Sequence, residues 1–210
     1  MAEYPFAEVI TSEEDLRAII GHPSKLVQNK VNTRLDEFQR DFIAQSPFIL
    51  IATANAEGSM DVSPKGDPPG FVLVLDDQTL VIPDRPGNRR ADTFTNIIQN
   101  PNIGLIFLIP GNQETLRVNG KARVVRDEAI SQRLSVQGKA PKLMIAVHIE
   151  EAFFHCAKCA VRSNLWEQDA WPAQEDVPSL AAALIAQQQL AISVEKLQAD
   201  LDEDVKTELY

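Results

Sequence analysis

Cysteine is scarce, with two in 210 residues; that is too few for a disulfide framework and suits a reducing cytoplasm. Basic residues are outnumbered, 20 Lys plus Arg against 30 Asp plus Glu, for a formal charge of −10. Such a balance repels nucleic acid and acidic membrane surfaces unless cations cluster locally. Long apolar runs are missing too: residues 103–109 are among the most apolar, and Pro110 stops them far short of the roughly 20 residues that cross a bilayer. Residues 1–8 lack the basic start and apolar stretch of a secretory signal. There is no internal repeat, and Gln187-Gln188-Gln189 is too short to count as low complexity. The expectation is a soluble, cytoplasmic protein that meets neither nucleic acid nor membrane.

What the sequence does contain is one compact group of cations, between Leu80 and Asn100. Leu80 to Ile82 are apolar and partly β-branched, Pro83 closes the run, and Pro86 and Gly87 favour a turn. From Arg89 the apolar positions Ala91, Phe94, Ile97 and Ile98 recur at three- and four-residue steps, with Asn88 as N-cap. The spacing therefore predicts a strand, a turn and a helix. The first turn of such a helix leaves N–H groups unpaired and directs positive dipole outward. Arg85, Arg89 and Arg90 bracket that end, and each is able to fork onto phosphate oxygens; the alternative is a capped helix with solvated arginines. The cluster is small and suits a single phosphate.

Elsewhere the period assigns helices and strands. Thr11 or Ser12 caps a short helix through Ile20, with Gly21 past its end. After Pro23, Val27, Val31, Leu35, Phe38 and Phe42 step by three or four, which predicts one helix to about Ala44, ended by Pro47. Strands are expected over 48–53, 59–63, 71–75, 79–82, 103–109, 115–126 and 143–154, with a hairpin turn at Pro110-Gly111-Asn112. Seven closely spaced strands suggest a closed or nearly closed antiparallel barrel. Asp127 begins a short helix before Gly138, and apolar positions from Leu180 to Val205 mark C-terminal helices. The division expected is a helical arm at 1–45, a barrel at 46–171 and a helical extension at 172–210 whose apolar stripe packs on the barrel or on a second subunit.

Other stretches carry chemistry-bearing residues. Ser63-Pro64-Lys65-Gly66-Asp67-Pro68-Pro69-Gly70 is dense in turn formers and reads either as an ordinary connector or as a loop beside a pocket, with Lys65 placing a positive charge there. Arg117 and Asn119 share one side of a strand that Gly120 marks as bulged; they either meet a ligand or line a solvated face. His155-Cys156-Ala157-Lys158-Cys159 invites a metal or redox reading. Structural zinc wants four ligands and only three cluster there, while the redox motif belongs beside a βαβ pattern; no metal site is expected. Arg162-Ser163-Asn164-Leu165-Trp166 brings a cation, a hydroxyl and an aromatic ring within five residues, and spacing leaves Trp166 either in the core or walling a planar ligand.

Three motifs, in this order, resemble the pyridoxamine 5'-phosphate oxidase-like family of FMN-binding split barrels. They are Ser63-Pro64-Lys65-Gly66-Asp67, then Ile82-Pro83-Asp84-Arg85-Pro86-Gly87-Asn88-Arg89-Arg90-x-Asp92-Thr93, then Phe154-His155-Cys156-x-Lys158 with Arg162-Ser163-x-x-Trp166. The resemblance spans about Phe42 to Trp171. It implies a mainly β fold with flanking helices (α+β), an antiparallel split barrel of six to eight strands. It also implies a homodimer with FMN in two symmetric clefts between subunits. Carried across by residue, it assigns Arg85, Asn88 and Arg89 to the FMN phosphate, Thr93 to the same cofactor site, and Ser63, Lys65 and Asp67 to the ribityl chain and ring. Lys158, Arg162, Ser163 and Trp166 would border the cleft, from the same subunit or its partner. The Arg-x-Pro-type segment with which true pyridoxamine phosphate oxidases bind substrate is not recognisable after Trp171, so oxidation of vitamin B6 is not implied; relatives use heme or a deazaflavin in the same barrel. The function implied is an FMN-dependent oxidoreductase passing hydride through flavin N5 to or from a small organic substrate, with no protein residue assigned as catalytic. The alternative is a non-catalytic flavin- or heme-binding module.

Overall fold

A computed structural model describes residues 5–210, so the first four residues of the expected arm lie outside the described part. The chain falls into two compact units, Met1–Val31 and Asn32–Tyr210. In the first, α1 (Glu13–Ile20) starts at Ser12, whose hydroxyl accepts from the Asp15 N–H, and ends at Gly21 with φ 72°. α2 (Lys25–Gln28) is a single turn capped by Ser24.

The continuous helix predicted after Pro23 does not form. Asn32 instead makes a β-bridge with Ala152, and α3 (Glu37–Gln45) begins afresh under a capping box in which Asp36 and Gln39 satisfy each other's backbone N–H groups. Gln39 also donates to the Ala152 carbonyl at 3.2 Å. A bridge and a two-way cap together outweigh an apolar periodicity that, read alone, ran straight through. The arm expected over 1–45 is thus shared between the two units, with α3 in the second.

The second unit is built on seven strands: β1 (Phe48–Ala54), β2 (Met60–Gly66), β3 (Leu73–Val74), β4 (Thr79–Pro83), β5 (Asn102–Leu108), β6 (Thr115–Val125) and β7 (Met144–His155). All pairings are antiparallel and the order is β2-β1-β5-β6-β7-β4-β3. β2 and β3 stand at opposite ends of that order, so the sheet is not closed by hydrogen bonds, and of the closed or nearly closed barrel expected it is the open, split form that the resemblance implied. Every second side chain of a strand meets the same face. Ile49 and Ile51 of β1, Leu105 and Phe107 of β5, Leu116 and Val118 of β6 and Val147 and Ile149 of β7 accordingly form the core, with Phe42 and Ile43 of α3 buried in it. The helices that follow are α4 (Asp92–Gln99), α5 (Glu128–Arg133), α6 (Lys158–Ser163), α7 (Leu180–Gln188) and α8 (Val194–Thr207). α5 is capped by Asp127, α7 by Ser179 and α8 by Ser193. α7 and α8 pack on each other. Among the described residues no helix is long and apolar enough to cross a membrane.

The bulge expected at Gly120 is present: the β6–β7 register shifts between Asn119 and Gly120. A Cβ on Gly120 would lie 2.0 Å from the His148 carbonyl oxygen, backbone that has no room to yield. Gly120→Ala is expected to lower unfolding stability by about 3 kcal/mol, at the upper end of overpacking costs; a urea denaturation curve superimposing on that of the unaltered protein would contradict the close approach.

Candidate ligand site at the loop between β4 and α4

The site begins with the alternation of β2. In the β1–β2 register Ile49 faces Lys65, Ile51 faces Ser63 and Thr53 faces Asp61. Asp61, Ser63 and Lys65 therefore share the face that is apolar core on β1, and at the sheet edge that face turns polar. Lys65 Nζ donates to Ser63 Oγ at 2.8 Å. Ser63 to Gly66 are thus strand, not the loop the turn formers suggested; Pro64 is tolerated because β2 is an edge strand and needs no N–H there.

α4 and the loop before it close the other side. Thr93 is buried and donates to Asp61 Oδ2 at 3.2 Å, and Asn96 donates to Thr53 Oγ1 at 3.1 Å. The helix starts at Asp92, three residues later than its apolar period suggested, with Ala91 as N-cap at φ 59° and no side-chain cap. Asn88 does not cap it: its Oδ1 accepts from the Arg90 N–H at 3.0 Å, an Asx turn. Arg89 at φ 59° and Ala91 both adopt the left-handed conformation, which breaks the helical run before it starts. Asp92, paired with Arg90 at 2.7 Å, already puts negative charge in the first turn. The cations belong to the loop more than to a helix end.

Between β2 and this loop lies a cavity of about 410 Å³, within the usual range for small-molecule sites. Ser63, Lys65, Arg85, Asn88, Arg89 and Thr93 all line it. Arg89 joins none of the ion pairs found among the described residues. Arg85 is already engaged: Nε donates to Asp67 Oδ2 at 2.6 Å and Nη2 to the Leu134 carbonyl at 2.8 Å. Asp67 is turned away from the cavity into this pair, its side chain 1% exposed.

Four residues expected at the site lie elsewhere in the chain. Lys158 and Arg162 are exposed on α6, Ser163 Oγ donates back to the Cys159 carbonyl at 2.9 Å, and Trp166 Nε1 donates to the Asn112 carbonyl at 2.6 Å beside the β5–β6 turn. None of them lines the cavity. Arg117 stacks 4.1 Å from the Phe153 ring centroid, with Nε buried and without a hydrogen-bond partner among the described residues; Asn119 bonds Glu151.

Sequence reasoning gave no role to the four carboxylates in the cavity wall, Asp61, Asp84, Asp92 and Glu208, although Asp84 and Asp92 stand in the quoted loop motif. Asp61 was within reach, two residues before Ser63 on an alternating strand; Glu208 offered no local signal. Burial raises the pKa of the Asp84 carboxyl, against the pull of Lys65, a backbone hydrogen bond at Arg85 and the Arg85 charge.

Residues 35–156 match the family described as Pyridoxamine 5'-phosphate oxidase. Solved structures similar to this chain include HupZ of Group A Streptococcus, at 22% identity and TM-score 0.48 over 57% of this chain and 93% of that one. General Stress Protein 26 of Bacillus anthracis is similar at 13% identity and TM-score 0.43, over 54% and 88%. The FAD binding protein of Mycobacterium smegmatis is similar at 18% and 0.41, over 59% and 97%. No curated protein matches the chain.

The raised pKa of Asp84 has a sign that is open to test. The folded state holds the proton more tightly than the unfolded chain, so this group costs stability at neutral pH and the cost disappears as pH falls through the folded pKa. Asp84→Asn is expected to raise the urea midpoint at pH 7, with the gain shrinking on acidification and gone below the unperturbed 3.8. A pH-independent difference would contradict the assignment.

Proposed function

The chain belongs to the pyridoxamine 5'-phosphate oxidase family, and from that premise we propose that it is an FMN-dependent oxidoreductase acting on a small organic substrate. The observation that carries this reading is the convergence of Lys65 and Ser63 on β2 with Arg85, Asn88 and Arg89 on the loop, around one cavity. The donor set fits a phosphate-bearing group: the Arg89 guanidinium, in no ion pair among the described residues, an amide at Asn88, and a hydroxyl and ammonium across the cleft. Bound FMN supplies hydride acceptance and donation at N5. The chain's part is to hold the phosphate with Arg89 and Asn88, to set Lys65 and Ser63 along the ligand, and to lend positive charge at Lys65 where reduction adds electrons. A carboxylate at Asp84 tempers the cation density of the loop.

The active form is a homodimer in this proposal, with clefts completed across the interface. Support comes from β1 and β5, whose sequences Phe-Ile-Leu-Ile-Ala-Thr-Ala and Asn-Ile-Gly-Leu-Ile-Phe-Leu are apolar on both faces, the pattern of strands covered on both sides. On the face away from the core Phe48, Met60 and Val62 are exposed. Arg117 Nε, without a hydrogen-bond partner among the described residues, lies on this side, where a second copy would supply an acceptor. Residues on α6 that the family pattern assigns to the cleft, and that do not line it here, would then come from the partner.

The purified protein is expected to be yellow, to bleach with NADH or NADPH under anaerobic conditions and to recover colour in air. A bound flavin that no nicotinamide reduces would support a binding module instead, and a colourless protein with a Soret band would point to heme. Losing the phosphate contacts should make riboflavin bind about a hundredfold more weakly than FMN. Arg89→Ala should narrow that gap more than Arg90→Ala, because Arg90 is already paired with Asp92; equal affinities for FMN and riboflavin would remove the phosphate site.

A further inference from the structure

The segment after α8 returns to the loop that carries the cations. Tyr210 Oη donates to Asp67 Oδ1 at 2.5 Å, on the carboxylate whose other oxygen holds Arg85. The Arg85 guanidinium lies 5.8 Å from the Tyr210 ring centroid, and Lys139 Nζ donates to the Tyr210 backbone oxygen. Two residues back, Glu208 lines the ligand cavity. α8 packs on α7 but buries no residue, and these contacts after it tie its end to the loop. Beside them a second cavity of about 510 Å³ shares Asp84, Arg85, Pro86 and Arg89 with the first and has Tyr210 in its wall.

We propose that α8 and Tyr210 form a latch that competes with an anionic ligand for the loop, an inference that rests on the phosphate-binding reading above. With the latch docked, Tyr210 covers Asp67 and excludes water from the Asp67–Arg85 pair, and a pair shielded from water holds more strongly. Arg85 then stays in the wall with Asp67 and the Leu134 carbonyl, offering the cavity only its remaining N–H groups. Glu208 adds a carboxylate where the anion would sit. When Tyr210 leaves, Asp67 is hydrated, its hold on Arg85 weakens, and the guanidinium is released toward the cavity. A phosphate in the cavity draws Arg85 and repels Glu208, which favours the undocked arm. Coupling of this kind is reciprocal: whatever factor docking takes from ligand affinity, the ligand takes from docking.

The test uses the full chain and three ligands: FMN, inorganic phosphate, and riboflavin as the uncharged control. Tyr210→Ala and Glu208→Gln should each bind FMN about tenfold more tightly than the unaltered protein, a typical size for such coupling, with phosphate following and riboflavin unchanged. Hydrogen exchange across Val194–Thr207 should speed up when FMN is added to the unaltered protein, and Tyr210→Ala should show the faster exchange without ligand. FMN binding of equal strength in all three proteins would overturn the latch and leave the flavin site standing. Tighter binding in the variants without faster exchange on adding FMN would also overturn it, since linkage requires both. Failure of all three proteins to bind FMN or phosphate would remove the phosphate site, and the latch with it.

Discussion

The register of β2 on β1 is the constraint on which the site depends. An edge strand alternates like any other, and antiparallel pairing sets its inward residues on the same face as those of its neighbour. Here the inward residues of β1 are Ile49, Ile51 and Thr53, and those of β2 are Lys65, Ser63 and Asp61. Core becomes cavity wall within one strand spacing. A one-residue slip would turn Lys65 and Ser63 outward and bring Met60, Val62 and Pro64 in, leaving the loop between β4 and α4 opposite an apolar edge. The hydrogen bonds from Thr93 to Asp61 and from Asn96 to Thr53 tie α4 to that register and hold the loop across the cleft.

Electrostatics within the site is a matter of which cations are already engaged. Arg90 pairs with Asp92 and Arg85 with Asp67, while Arg89 is held at φ 59° in the cavity wall. The Arg85–Asp67 pair is largely buried, and a buried pair contributes less to stability than to fixing geometry, because desolvation offsets much of the attraction. Its effect here is on availability: a guanidinium bonded to a carboxylate and a carbonyl has fewer donors left for a ligand. Tyr210 joins this pair through Asp67, and Glu208 of the same segment lines the cavity, so residues far from the loop in sequence contribute a hydroxyl and a carboxylate beside its cations.

Both faces of β1 and β5 are apolar, and only one of them is filled by this chain's own core. That asymmetry, with exposed Met60 and Val62 and an Arg117 Nε that has no hydrogen-bond partner among the described residues, supports the second copy proposed for the outer face. Lys158 and Arg162 are exposed on α6, and Trp166 bonds the β5–β6 turn, all outside their own cavity, which is why the proposed dimer would take them from the partner.

Much of this was legible in the residues themselves. Strand and helix periods, the caps at Ser12 and Asp127, the turn at residues 110–112 and the crowded glycine at 120 are local or nearly so, and short-range sterics and hydrogen bonding decide them. The cations between Arg85 and Arg90 likewise announced a site, being dense in an acidic chain. Where local signals competed, tertiary contacts decided: the bridge from Asn32 to Ala152 broke a predicted helix, and two left-handed residues delayed α4 to Asp92. The partners of Arg85 and Tyr210 were beyond sequence reading altogether. Asp67 and Arg85 are 18 residues apart and Asp67 and Tyr210 are 143 apart; which charges meet across such distances depends on how the sheet folds and where the last helix ends, because ion pairs act through space and carry no trace along the chain.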